Sequence, residues 1–161
     1  MTTNRRFTDF ILDVDGVLTD GGFYYSVVGK VLKSFGPDDH DALKLLSSKI
    51  RIQFVTSDRR GYRISRRRIT KDMGFQLSFV PADRRLDWIK QSFEIQNVVY
   101  MGDSFADIPI LRAAGYGIAP ANSFHEVAKF ADFVTHHSGG DRAVAEACLK
   151  VGDILGFNLR E

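Results

Sequence analysis

Residues 10–21 read Phe10-Ile11-Leu12-Asp13-Val14-Asp15-Gly16-Val17-Leu18-Thr19-Asp20-Gly21: an apolar run that ends abruptly in two acids spaced i, i+2 and then a glycine. Such a run reads as the end of a buried strand, and we place that strand at residues 7–12. Working outward, further short β-branched and aromatic runs fall at residues 51–56, 77–80, 97–101, 115–119 and 133–135. Segments of helical period lie between them, expected at residues 39–49, 61–73, 82–93, 106–113, 123–130 and 141–155, with Gly74 and Gly156 as stops. This alternation predicts an α/β fold: a three-layer, doubly wound, mainly parallel sheet with helices on both faces. One segment departs from it. Residues 22–35, Phe23-Tyr24-Tyr25-Ser26 and Val31-Leu32-Lys33-Ser34-Phe35 around a turn containing Gly29, predict a two-stranded hairpin after strand one. A lone hairpin is marginal in water, so its aromatic residues should pack on their own domain or on another subunit.

A chain of 161 residues with 44% hydrophobic content has material for one full core, and a single domain over residues 1–161 is expected. The formal charge of +2, from 22 basic and 20 acidic residues, gives no general attraction to nucleic acid or membranes, and neither is expected as a partner. No apolar run approaches the length of a membrane span, and the first residues do not read as an export signal. The single cysteine, Cys148, has no internal partner and sits in an apolar helical stretch; a soluble protein in a reducing, cytoplasmic setting is expected.

In open α/β sheets, ligands bind beyond the carboxyl ends of the strands, so the residues where each strand stops carry the chemistry. Strand one stops in Asp13-Val14-Asp15-Gly16, strand two at Thr56-Ser57, and strand four in Gly102-Asp103-Ser104, with Asp107 one helical turn beyond Asp103. Carboxylates gathered at one edge repel one another, and the usual remedies are a divalent cation or a raised pKa. An all-oxygen donor set favours magnesium over zinc, and magnesium prefers one or two carboxylates, waters and substrate phosphate oxygens to a closed protein cage. Phosphoryl transfer with a carboxylate nucleophile follows as the reaction class.

The stretch Asp13-Val14-Asp15-Gly16-Val17-Leu18 resembles the first motif of the haloacid dehalogenase superfamily, Asp-x-Asp-x-Thr/Val followed by a hydrophobic residue. Extended through Thr19-Asp20-Gly21, it is similar to the capless branch of that superfamily, the octulosonate 8-phosphate phosphatases and related sugar-acid phosphatases. The similarity continues through Phe23-Tyr24-Tyr25, Lys33-Ser34-Phe35, Thr56, Gly102-Asp103, Asp107 and Gly139-Gly140-Asp141-Arg142-Ala143-Val144. The resemblance implies a phosphomonoester hydrolase in which Asp13 attacks phosphorus and Asp15 acts as acid and then base. It further implies Mg2+ held by the Asp13 carboxylate, the Asp15 backbone carbonyl and Asp103, with Asp107 nearby or bound through water, and Thr56 bonded to the phosphoryl group. The substrate class it implies is a small phosphorylated sugar acid of the octulosonate or nonulosonate kind. No cap domain fits the intervals between motifs, and the resemblance implies a homotetramer whose neighbouring subunits close the sites.

Two departures from the family pattern stand out. Where the family has a lysine before the helix that precedes the fourth motif, this chain reads Asp83-Arg84-Arg85-Leu86-Asp87-Trp88, with no lysine until Lys90. Arg85 is the expected substitute, retaining the charge but not the shape of a lysine, while Arg84 or Lys90 stand as alternatives. The second acid usual after the motif-four aspartate is replaced by Ser104. Ser57 and Arg59 are expected at the phosphate site beside Thr56, and the basic run (Arg59, Arg60, Arg63, Arg66, Arg67, Arg68) reads as a solvated helix face of which Arg59 and Arg60, next to Thr56, are the members placed to meet an anionic substrate.

Blander readings stand beside these. Thr56 is also placed to cap the following helix, and His40 is equally a site residue or a cap-region histidine. His136 and His137, adjacent on a strand, point apart and are not expected to share a metal. A phosphoacceptor receiver domain would need an aspartate after strand three and a lysine after strand five, where this chain has Val80-Pro81 and Ala119-Pro120. A relative that has lost catalysis and serves as an assembly or regulatory subunit is the remaining alternative, motivated by the missing lysine.

Overall fold

A computed structural model describes residues 7–160. Its centre is β1 (Asp9–Asp13), buried along its whole length within a six-stranded parallel sheet. To one side of β1 lie β4 (Arg51–Thr56) and β5 (Gln76–Phe79); to the other lie β6 (Val98–Met101), β7 (Tyr116–Ala119) and β8 (Phe133–Val134). The chain fills one side first and then crosses back, so the order reverses between β1 and β6. A crevice opens at such a switch point beyond the carboxyl ends of the strands, and Asp13 is the last residue of β1.

The layers follow from the period of two along β1. Phe10 and Leu12 pack with Leu43 and Leu46 of α1 (Asp39–Leu46) and with Val144, Ala147, Cys148 and Val151 of α6 (Ala143–Ile154). Ile11 points the other way, to Ile89 of α3 (Arg85–Ser92) and Ile110 and Leu111 of α4 (Ile108–Ala113). The expected three-layer α/β class is therefore the observed one. Between β1 and β4 there are only a hairpin, β2 (Thr19–Ser26) with β3 (Gly29–Phe35), and α1; no cap domain interrupts the described residues.

The hairpin begins three residues earlier than expected. Thr19 pairs with Phe35, and a register shift before Phe23 accommodates Asp20, Gly21 and Gly22, so the ribbon grows directly out of the acidic loop. Among the described residues its outer side chains find little cover: Tyr24 is 61% exposed and Leu32 60%. The helix expected at residues 61–73 is α2 (Tyr62–Arg66) followed by a π-helical turn, Arg67–Asp72, in which the Met73 N–H reaches back five residues to the Arg68 carbonyl at 3.0 Å. Gly74, at φ +80°, ends it. The helix expected at 123–130 shrinks to α5 (His125–Ala128): the Ser123 N–H closes a turn on the Pro120 carbonyl before it, and after it Phe130 and Ala131 tighten to bonds three residues back, on Val127 and Ala128. Among the described residues no helix is long and apolar enough to cross a membrane.

Candidate active site

β1 delivers Asp13 to the crevice, where the Val14 N–H donates to its Oδ1 at 2.8 Å. The chain then turns through Gly16, at φ +84°, and a Cβ there would stand 2.0 Å from Oδ2 of Asp103. Only glycine lets the loop pass the fourth-motif aspartate at this distance. β6 brings Gly102-Asp103-Ser104 alongside, and a short 3₁₀ turn, Phe105–Asp107, folds Asp107 back beneath them.

Asp107 is fully buried and saturated. Its Oδ2 accepts from the Asp103 N–H (3.1 Å), the Ser104 N–H (3.0 Å) and the Ser104 hydroxyl (2.9 Å). Its Oδ1 accepts from Arg85 Nη1 (2.9 Å) and the Tyr100 hydroxyl (2.5 Å). With both oxygens engaged, Asp107 holds Asp103 and Arg85 in place, and it stands close enough to Asp13 and Asp103 for the nearby or water-mediated place at a metal that the resemblance implies. Ser104, in place of the family's second acid, completes a capping box with Asp107.

Arg85 opens α3 and turns inward, 2% exposed, with Nη1 3.3 Å from Asp13 Oδ2 and 3.1 Å from the Tyr100 hydroxyl. Against the burial that opposes its charge, Asp13 and Asp107 hold the guanidinium firmly protonated. The alternatives sit elsewhere: the Arg84 side chain is 76% exposed and Lys90 lies on the outer surface.

Carboxylate oxygens of Asp13, Asp103 and Asp107 lie within 4.8 Å of one another. Burial, opposed by Arg85 and reinforced by Asp107 and Asp103, pushes the Asp13 carboxyl up to about 8. Burial and Asp107 push Asp103 up to about 7. Asp103 Oδ1 is buried with no hydrogen-bond partner. A group of oxygens that resists ionisation, with one oxygen left unanswered, fits a hard divalent cation.

The cleft above these acids, about 350 Å³, is lined by Asp13, Asp15, Asp103 and Ser104 on one side and by Thr56, Ser57, Asp58, Phe23 and Lys30 on the other. The Thr56 side chain, nearly inaccessible, accepts the Asp58 N–H at 3.1 Å, so it caps the turn after β4 and borders the cleft at once. That turn aims Asp58 at the hairpin and sends Arg59 outward, its guanidinium 5.5 Å from the Phe79 ring centroid. Arg59 therefore does not line the cleft, contrary to expectation. His40 packs edge-on against Phe75, and His136 and His137 both face Glu146.

Sequence reasoning assigned no role to four residues of this region. Lys33 is buried on β3 with its Nζ 2.7 Å from Asp15 Oδ1 and 2.8 Å from Asp58 Oδ2. Lys30 meets Asp58 at 2.6 Å. Although burial would raise it, the two lysines and the Gly61 N–H hold the Asp58 carboxyl down at about 2. A signal was present: Lys33 shares a strand face with Val31 and Phe35, an unusual place for an ammonium unless it is paired. The fourth is Tyr100, whose hydroxyl within the otherwise apolar Val98-Val99-Tyr100-Met101 needs a buried partner.

A family description of haloacid dehalogenase-like hydrolases matches residues 41–147. The chain is 32% identical to the 3-deoxy-D-manno-octulosonate 8-phosphate phosphatase of Salmonella typhi over 154 residues, which cover 92% of this chain and 80% of that one. It is 35% identical to the enzyme of the same name from Haemophilus influenzae over 141 residues, covering 84% and 77%. Among solved structures, the Moraxella catarrhalis phosphatase in complex with magnesium, phosphate and KDO superposes with a TM-score of 0.82 at 28% identity, covering 95% of this chain and 90% of that one. The cobalt-bound Haemophilus influenzae phosphatase gives 0.81 at 28% identity, covering 95% and 91%. This chain belongs to the haloacid dehalogenase-like hydrolases, in the capless phosphatase branch that includes the 3-deoxy-D-manno-octulosonate 8-phosphate phosphatases.

Proposed function

We propose that the chain is a magnesium-dependent phosphomonoester hydrolase that works through an aspartyl phosphate on Asp13, with a phosphorylated sugar acid of the octulosonate or nonulosonate kind as substrate. The observation that carries this reading is the contact of Asp13 with Arg85 at the floor of the cleft, beside Asp103. A nucleophilic carboxylate and a fixed cation 3.3 Å away give the transferring phosphoryl group an attacking oxygen and a counter-charge in one place. This geometry favours catalysis over an impaired assembly subunit, since the missing lysine is answered by Arg85. The relatives named above act on, or in one case are bound to, the same class of sugar acid and support the choice of substrate.

In the first half-reaction a carboxylate oxygen of Asp13 bonds to phosphorus, the bond from phosphorus to the leaving oxygen breaks, and Asp15 gives that oxygen its proton. In the second, Asp15 takes a proton from water, the water oxygen bonds to phosphorus, and the Asp13–phosphorus bond breaks to release inorganic phosphate. Arg85 stands against the charge on Asp13 and the phosphoryl oxygens throughout, while Thr56 and Ser57 border the phosphate. Asp13 and Asp103, with the Asp15 backbone carbonyl, would hold Mg2+, and Asp107 would hold Asp103. The metal would supply neutralisation of the phosphoryl charge.

The exposed hairpin, with Phe23, Tyr24, Tyr25, Val27, Val28 and Leu32 open to solvent, supports assembly into a homotetramer. A reducing, cytoplasmic location agrees with the buried free Cys148. A screen of phosphorylated metabolites with Mg2+ and with chelator tests the whole reading. Hydrolysis of sugar-acid phosphates that chelator abolishes is expected, and metal-independent or absent turnover on every member would refute it.

A further inference from the structure

Lys33 lies on the most exposed ribbon of the chain, yet its side chain is completely buried. Burying an ammonium is costly unless it is paired, and here three segments surround it with one hydrogen bond and two ion pairs. Nζ donates to Ser65 Oγ of α2 at 2.9 Å and lies 2.8 Å from Asp58 Oδ2 and 2.7 Å from Asp15 Oδ1. Asp58 is fixed independently: its Oδ1 accepts the Gly61 N–H at 3.0 Å, and its own N–H is tied to Thr56. The position of the ammonium is thus set by the turn after β4 and by α2. Among the described residues, no other side chain or backbone group pairs with the Asp15 carboxylate.

We propose that Lys33 is the positioning residue for the acid/base carboxylate. Its grip on the buried Oδ1 turns the rest of the Asp15 carboxylate toward the cleft, where the leaving-group oxygen stands, so docking of the hairpin is a condition for proton transfer. The proposal rests on the assignment of Asp15 above. It differs from a merely structural ion pair in what it predicts: loss of Lys33 should impair only the steps that need Asp15 oriented.

The test measures turnover on an alkyl phosphate, whose poor leaving group needs a proton, and on p-nitrophenyl phosphate, whose good one does not. Because Asp15 also serves the hydrolysis of the aspartyl phosphate, which both substrates share, the comparison is made on kcat/KM, which reports the first half-reaction alone. Lys33→Met should lower it on the alkyl phosphate about 100-fold, the low end of what general acid catalysis contributes. The loss of kcat/KM on p-nitrophenyl phosphate should stay below about tenfold, and Lys33→Arg should recover part of the larger loss. This is the pattern expected of Asp15→Asn, and the Lys33→Met/Asp15→Asn double variant should be no worse than Asp15→Asn alone. Because Lys33→Met leaves Asp58 with Lys30 as its remaining cation, Lys33→Met/Asp58→Asn neutralises the buried Lys33–Asp58 pair together, a change proteins often tolerate. It should fold and show the same leaving-group selectivity. Equal losses on both substrates, or alkyl phosphate turnover near wild type in that double variant, would overturn the role of Lys33 while Asp15→Asn remains selective. If Asp15→Asn itself shows no selectivity, the acid/base assignment falls and takes the role of Lys33 with it.

Discussion

Replacing Arg85 with alanine is the perturbation that bears hardest on the proposed site. The guanidinium is 2% exposed and contacts Asp107 at 2.9 Å, the Tyr100 hydroxyl at 3.1 Å and Asp13 at 3.3 Å. Removing one partner of a buried ion pair costs about 3–5 kcal/mol, because the remaining charge is left uncompensated. For a chain of this length that corresponds to a fall in Tm of about 6–20 °C. The loss in turnover is separate: a preorganised donor aimed at developing charge is worth about 10²–10³ in kcat. Arg85 also supports Asp107, which holds the Asp103 and Ser104 amides, so the upper part of that range is expected. The assay is p-nitrophenyl phosphate hydrolysis at saturating Mg2+, with melting curves recorded beside it so that misfolding is not read as lost catalysis. Arg85→Lys should recover part of the turnover, since an ammonium keeps the charge but cannot meet three partners at once. Arg84→Ala, at an exposed position, should stay within about twofold of wild type. A folded Arg85→Ala protein that turns over within about threefold of wild type would refute the reasoning. So would a crippling effect of Arg84→Ala or Lys90→Ala.

Three further outcomes are expected. The folded state binds protons at Asp13 (about 8) and Asp103 (about 7) more tightly than the unfolded chain does. Their stabilising contribution is therefore complete below about pH 4 and is lost as pH rises through 7 to 8. Metal-free protein should melt at lower temperature at pH 8 than at pH 5.5, Mg2+ should restore it at pH 8, and Asp13→Asn should flatten the slope while abolishing turnover. A melting temperature in chelator that is level or rises over that interval would count against the description of the site. Tyr100→Phe removes a hydrogen bond to a buried carboxylate and should cost about 1.5–3 kcal/mol in denaturant titrations. Its loss of turnover should be smaller than that of Arg85→Ala, and a neutral effect on both measurements would show that the hydroxyl does not hold Asp107. Tyr24→Asp/Leu32→Asp places charge on the uncovered hairpin face and should lower the sedimenting mass; unchanged sedimentation would locate the oligomer interface elsewhere.

The class of fold was legible in the chain because alternating short apolar runs and helical periods have few other solutions, and β1 with its terminal Asp13 is readable from a handful of residues. The acids at the ends of β1 and β6 are near one another for the same reason: parallel neighbours stop at one edge of the sheet. What sequence alone left open was which of two adjacent arginines turns inward. The choice of Arg85 depends on the exact start of α3 after its 3₁₀ turn, and one residue rotates a helix by about 100°. The burial of Lys33 was likewise decided by tertiary structure, since it requires the hairpin to lie across Asp58 and Asp15, contacts separated by tens of residues. The turn at Asp58 determined that Arg59 points away from the cleft, and Tyr100 acquired its part only because Asp107 folds back beneath β6. Local periodicity settles where strands and helices lie. The direction of a side chain at their ends is settled by caps, turns and buried charges, which become definite only when the distant segments meet.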